Sequence, residues 1–166
     1  KENLYKPMPG YRFIASNTDR SRYYVGELNG RSSKQAYMDA LHISESNIIN
    51  QTFHNPLGKM NGQDICIISL KEVSGNGLCC YRQVNDSVLL EEQDYNEILD
   101  ETLQRIRRDF NHISGVFSIN CVFRYLLFSQ EHHMEDYLKT MSTLGDHAGL
   151  IGFGEHYNQQ FVNQTM

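Results

Sequence analysis

The stretch from Asp64 to Phe110 changes its hydrophobic period once, and that change limits the folds open to the chain. Residues 65–70, 78–84 and 88–90 are short apolar runs of strand length, separated by Ser74-Gly75-Asn76-Gly77 and Asn85-Asp86-Ser87. Both separators carry residues that tolerate left-handed backbone, so an antiparallel meander is expected. From Asp94 onward, Tyr95, Ile98, Leu99, Thr102, Leu103, Ile106 and Phe110 instead recur at helical spacing. Asp94 and Glu97 give that helix a capping-box start. Strands followed by an amphipathic helix call for a layered fold.

The remaining patterns extend this reading. Residues 11–15 and 23–28 read as strands around a polar loop at 16–20, and Asn29-Gly30 is a turn signal. Ser33 caps a helix reaching Leu41, and a shorter helix from Ser44 carries Ile48 and Ile49. Pro56 makes 53–58 a loop or an edge. Residues 115–121 form a buried-looking strand running into a helix at Val122, a second helix spans 134–144, and 149–155 holds three glycines. Strand, helix and strand in that order allow one parallel crossover. The expected fold class is α/β or α+β, with a mixed, mainly antiparallel sheet covered by helices.

Composition narrows the function. At 166 residues the chain is long enough to fold without disulfide or metal staples. Fifteen basic and twenty acidic residues give a net charge of −5, the wrong balance for a phosphate-backbone binder. No nucleic-acid partner is expected. The longest mainly apolar stretch, 122–128, holds Arg124 and is far shorter than a membrane span. Cys66, Cys79, Cys80 and Cys121 have no metal-ligand spacing, and reduced thiols in a cytoplasmic setting are the economical reading. Seven histidines include no HExxH or Cys/His pair, which favours solvated loop histidines and no metal site.

Chemistry concentrates near the C-terminus. A strand ending at Cys121 and turning into a helix puts that thiol at a helix N-terminus, where anions bind and thiol pKa values fall. Arg124, one turn on, has the bidentate fork that holds carboxylates. Two readings stay open: an anion pocket, or a core cysteine beside an arginine paired with a carboxylate of the fold. Glu155, beyond Gly149, Gly152 and Gly154, either takes a ligand's ammonium or pairs with Arg124. Asn163, Gln164 and Thr165 supply amide and hydroxyl groups.

Cys121-x-x-Arg124, Gly149-x-x-x-x-Gly154-Glu155 and Asn163-Gln164-Thr165, in this order, resemble the C-terminal half of a FIST domain, the sensory module of F-box and intracellular signal transduction proteins. Tyr24 to Gly30 resembles the strand and turn before that half's first helix, and His54-Asn55-Pro56-Leu57-Gly58 its Pro-Leu-Gly segment. The resemblance covers about residues 23–166, with 1–22 then expected as the tail of a preceding N-terminal half. It implies a non-enzymatic, cytoplasmic domain of bacterial-type signalling that binds a small ligand such as an amino acid. Carried over by position, Arg124, Gly154, Glu155, Asn163 and Thr165 would line the site, with Cys121 at its edge. The alternative is an interaction module that docks the N-terminal half or an output domain. Haem binding and a Cys121-dependent enzyme rank below both.

Overall fold

The computed structural model describes residues 3–62, 64–157 and 160–162, with side chains throughout these except at 61, 64, 155–157 and 160–162. They form two compact units, one of Tyr5–Glu92 and one from Gln93 onward together with the residues up to Leu4. The fold is α+β with mainly antiparallel sheet.

The Tyr5–Glu92 unit runs β1 (Tyr5–Asp19), β2 (Tyr24–Leu28), β3 (Arg31–Ser32), α1 (Ser33–Leu41), a 3-10 turn (Glu45–Asn47) leading into α2 (Ile48–Gln51), β4 (Leu57–Asn61), β5 (Asp64–Ile68), β6 (Leu70–Ser74), β7 (Gly77–Cys80) and β8 (Asp86–Glu92). The strands are ordered β5-β4-β8-β1-β2-β7-β6, with β3 on β2. β5 and β6 stand at opposite ends of this order, yet only Ser69 separates them in sequence. The sheet therefore curls until its ends meet at Ser69, whose carbonyl accepts from the Tyr81 amide at 3.0 Å. Leu70, just beyond, donates its amide to Thr52 Oγ1 at 2.8 Å.

That closure replaces the expected meander. β6 and β7 do form a hairpin, but β8 leaves β7 and pairs with β1 and β4. The polar tract at 16–20 is also strand as far as Asp19, because Ser16 lies opposite Glu27 and donates to its Oε2 at 2.8 Å. Cross-strand pairing overrides composition there. β1 pairs with β8 through its first part and with β2 through its last, and its register shifts between Pro7 and Arg12. Gly10, at φ +85°, supplies the backbone that this shift requires.

Local signals elsewhere hold. Asn29 and Gly30 both have positive φ, 53° and 71°, as a primed hairpin turn demands. Asn29 Oδ1 accepts from the Ile14 amide and its Nδ2 donates to the Arg12 carbonyl, each at 2.8 Å. The cap of α1 is Ser32, whose side chain accepts from the Gln35 amide at 3.3 Å. Ser33, expected in that role, is buried and donates to the Val25 carbonyl at 2.6 Å.

Val25, Leu28, Leu57, Leu78 and Leu89 are fully buried, and α1 lays Ala36, Tyr37 and Ala40 on the same core. Each large side chain so buried contributes about 1.5–3 kcal/mol. Tyr37 donates its hydroxyl to the Asn55 carbonyl at 2.8 Å. Tyr37→Phe is expected to cost about 1–2 kcal/mol, read by urea unfolding, since an acceptor loses its donor. Burial raises the Tyr37 phenol and pushes the Cys80 thiol up to about 12. A thiol held above its unfolded value of 9.0 stabilises the fold below that value. Stability should therefore fall as pH climbs from about 9 toward 12, and Cys80→Ala should make that fall shallower.

The second unit runs α3 (Tyr95–Asp109), β9 (Gly115–Cys121), α4 (Val122–Gln130), α5 (Met134–Ser142), β10 (Asp146–Gly152), β11 (Glu155–Tyr157) and β12 (Gln160–Val162). Asp94 caps α3, accepting from the Asn96 and Glu97 amides at 2.9 and 3.0 Å. β9 and β10 pair in parallel over their whole length, with α4 and α5 as the connection, and β11 pairs with β12 antiparallel. The parallel pairing expected from the strand-helix-strand order is present.

Candidate functional site

Parallel pairing sets Ser118 beside Gly149, Asn120 beside Ile151, and Cys121 beside Gly152. Side chains alternate along a strand, so Ser118 and Asn120 share one face with His147, Gly149 and Ile151. Together with Arg124, Tyr125 and Phe128 of α4 and Met134, Tyr137 and Leu138 of α5, these residues line a pocket of about 150 Å³. It lies wholly within the second unit.

The floor of the pocket is a chain of polar contacts. Ser118 Oγ and His147 Nε2 are 2.9 Å apart. Asn120 Nδ2 donates to the Tyr137 hydroxyl at 3.0 Å and to Ser118 Oγ at 3.4 Å. The Tyr137 and His147 rings meet edge to face at 5.9 Å. Asn120 Oδ1 is buried and accepts no hydrogen bond from the described residues. Gly149 keeps this arrangement open: a Cβ there would stand 2.5 Å from Ser118 Oγ and 2.7 Å from the Ser118 carbonyl oxygen.

An aromatic cluster forms the wall. Tyr95 stacks on His133 with centroids 4.1 Å apart, and Phe128 meets the Tyr95 ring edge-on at 5.1 Å. The Arg124 guanidinium carbon lies 5.0 Å from the Phe128 centroid, within cation-π range. Arg124 is 1% exposed, the largest fully buried side chain among the described residues. Burial pushes the Tyr95 phenol up to about 12, with Asp136 adding to the rise and Arg124 opposing it.

The structure brings together only part of the expected site. Cys121 stands at the N-terminus of α4 as expected, makes no side-chain cap hydrogen bond, and is 2% exposed. Arg124 stands in the first turn of α4 and lines the pocket. Gly154 lies in a bend after β10, and Glu155 opens β11, three residues beyond the partner of Cys121. The Glu155 side chain, Asn163 and Thr165 lie outside what the structure describes, as does the expected pairing of Glu155 with Arg124.

Ser118, Asn120, Tyr137 and His147 went unread in the sequence. Their signal was an inverted pattern: along β9 the polar Ser118 and Asn120 face the helices, while Phe117 and Ile119 face outward, 64% and 48% exposed. Three histidines expected as solvated loop groups are engaged instead, His133 on Tyr95, His147 on Ser118 and His54 Nδ1 on Glu92 Oε2 at 2.9 Å. Haem does not fit this pocket, whose 150 Å³ is of the order that admits a single benzene ring, far below a porphyrin. Among the described residues no cluster of three or more His, Cys, Asp or Glu could hold a metal ion, and no helix is long and apolar enough to cross a membrane.

No curated protein and no solved structure matches the chain. The FIST C domain matches residues 34–158, about three quarters of the sequence and all of the pocket. Order and spacing from α1 through β11 thus agree with one family, and the chain belongs to it: the FIST C domain family, a sensory-type domain of signal transduction proteins.

Proposed function

We propose that the pocket of the second unit is the ligand site of this sensory domain and takes a small carboxylate, an amino acid or a close analogue, without turning it over. The observation that carries this reading is Arg124, a guanidinium buried to 1% exposure in the wall of a 150 Å³ pocket. The planar fork of a guanidinium suits a bidentate carboxylate. Arg124 clamps the carboxylate, Glu155 takes the ammonium, Gly154 lets the backbone approach, and Asn163 and Thr165 orient the ligand, with Cys121 at the edge. The domain then works in a cytoplasmic signalling protein of bacterial type, and occupancy is passed to an output partner. Titration calorimetry of the full chain against the L-amino acids and short monocarboxylates should give saturable binding for some of them. No heat and no thermal shift with any would overturn the reading.

A second reading has its own support. Phe117 and Ile119 lie on the β9 face opposite the pocket and are 64% and 48% exposed. An apolar sheet face of this kind suits an interaction module that docks the N-terminal half of the domain or an output domain. Phe117→Asp should then abolish co-elution with that partner in size exclusion while changing the stability of the isolated chain by no more than about 0.5 kcal/mol. Unchanged co-elution would sink this reading.

A further inference from the structure

We infer that the outer side of β2, β7 and β6 is a docking surface for an acidic segment of a partner protein, with Arg22 as its anchor and Tyr23, Lys71 and Tyr81 around it. This surface lies wholly within the Tyr5–Glu92 unit and stands apart from the pocket of the second unit.

Strand pairing assembles it. Tyr24 of β2 pairs with Cys79 of β7, and Cys79 in turn with Glu72 of β6, where a register shift leaves Lys71 as the extra residue. Leu78 and Cys80 belong to the core, so alternation turns Cys79, Tyr24 and Glu72 to the other face. Arg22 lies over that face. Its guanidinium carbon is 5.8 Å from the Tyr24 centroid, and its Nη2 donates to Ser74 Oγ at 3.2 Å. Gly77 makes room for the ring beneath, since a Cβ there would stand 2.3 Å from Tyr24 Cε2. Stacking and a hydrogen bond hold the guanidinium in place, and a planar fork so held loses little freedom on taking a carboxylate.

Two tyrosines border it. The Tyr23 carbonyl accepts from the Cys80 amide at 3.1 Å, which brings Tyr23 to the strand end that Tyr81 follows, and the two are 46% and 47% exposed. Tyr23 has φ 51°, a left-handed backbone that bulky residues rarely adopt. Asn or Gly would serve the turn with less strain, and a half-exposed ring adds little to the core, so neither accounts for a tyrosine there. Tyrosine and arginine are residue types that anchor protein interfaces.

Charge names the partner. Lys6, Arg31 and Lys34 of the same unit are ion-paired with Glu91, Asp39 and Glu45. Arg22 and Lys71 are exposed, and neither has an ion-pair partner among the described residues. Asp19, near Arg22, is turned back on its own loop, accepting from the Ser21 amide and hydroxyl at 2.9 and 2.6 Å. Glu72 is the opposing carboxylate, sharing the surroundings of Cys79 with Arg22 and Lys71. A run of carboxylates complements the two cations and gains further if Glu72 is neutralised. The chain as a whole carries −5 and repels such a run, so attraction has to come from a local surface.

Fluorescence anisotropy of labelled octaglutamate and octaserine with the full chain tests this. Octaglutamate should bind about tenfold tighter than octaserine at low salt, and lose about fivefold in affinity as salt rises from about 0.05 to about 0.3 M. Arg22→Gln should weaken octaglutamate about fivefold and Glu72→Gln strengthen it about threefold, whereas Arg31→Gln, at a residue paired with Asp39, should leave it unchanged. A purely structural role for Arg22 would not produce opposite signs at these two positions. Octaglutamate binding no tighter than octaserine overturns the inference, a comparison that needs no variant to fold. So does a loss in Arg31→Gln as large as in Arg22→Gln, which would make the attraction diffuse, and so does octathymidylate binding tighter than octaglutamate, which would make the surface a nucleic-acid one. The carboxylate pocket stands or falls separately.

Discussion

Arg124→Lys is expected to lower the affinity for the proposed carboxylate ligand by about 10- to 100-fold while leaving the fold intact. Lysine keeps the charge but loses the planar fork, and a charge-assisted hydrogen bond is worth about 1.5–3 kcal/mol. The guanidinium also rests on the Phe128 ring, a contact that a shorter, more strongly hydrated ammonium makes poorly. Calorimetry gives the affinity and far-ultraviolet circular dichroism the fold. An Arg124→Lys variant that binds like the wild type would remove the arginine from the site and leave it a purely structural group.

Gly149→Val is expected to cost about 3 kcal/mol of stability and to abolish ligand binding. A Cβ at Gly149 would meet the Ser118 carbonyl oxygen at 2.7 Å, and that oxygen belongs to the backbone of the paired strand. A side-chain clash relaxes by rotation, whereas this one forces β9 and β10 apart. The Ser118 hydroxyl, 2.5 Å from the same position, would be driven off His147 as well. Urea unfolding reads the first effect and calorimetry the second. Gly149→Ala should show both in weaker form, and a fully stable, ligand-competent Gly149→Val would mean that the strands have room that this register denies them.

The α3 helix, the Asn29-Gly30 turn and the β9-α4 junction were legible in the sequence because each is fixed by neighbours along the chain. Asp94 and its two amides, or the paired positive φ angles of Asn29 and Gly30, need no partner from elsewhere. The closure of the sheet was not legible, since it depends on Ser69 joining strands at opposite edges, a property of the whole path. The extension of β1 through polar residues escaped for the same reason, as Ser16 becomes strand through Glu27. At the site, Arg124 could be read because strand and helix follow each other directly at Cys121. His147 could not, because its contact with Ser118 spans 29 residues and exists only once β9 and β10 pair in register. The inverted polarity of β9 was the one local trace of that partnership.

The central claim, that a small carboxylate binds against Arg124 between β9 and the helices that follow it, is tested most directly by amide chemical-shift mapping of the full chain during a leucine titration. Saturable shifts should cluster at residues 118–125 and 147–151 and vanish in Arg124→Lys over the same concentration range. Saturable shifts confined to Tyr5–Glu92, or none at any concentration with leucine or the other carboxylates, would contradict it.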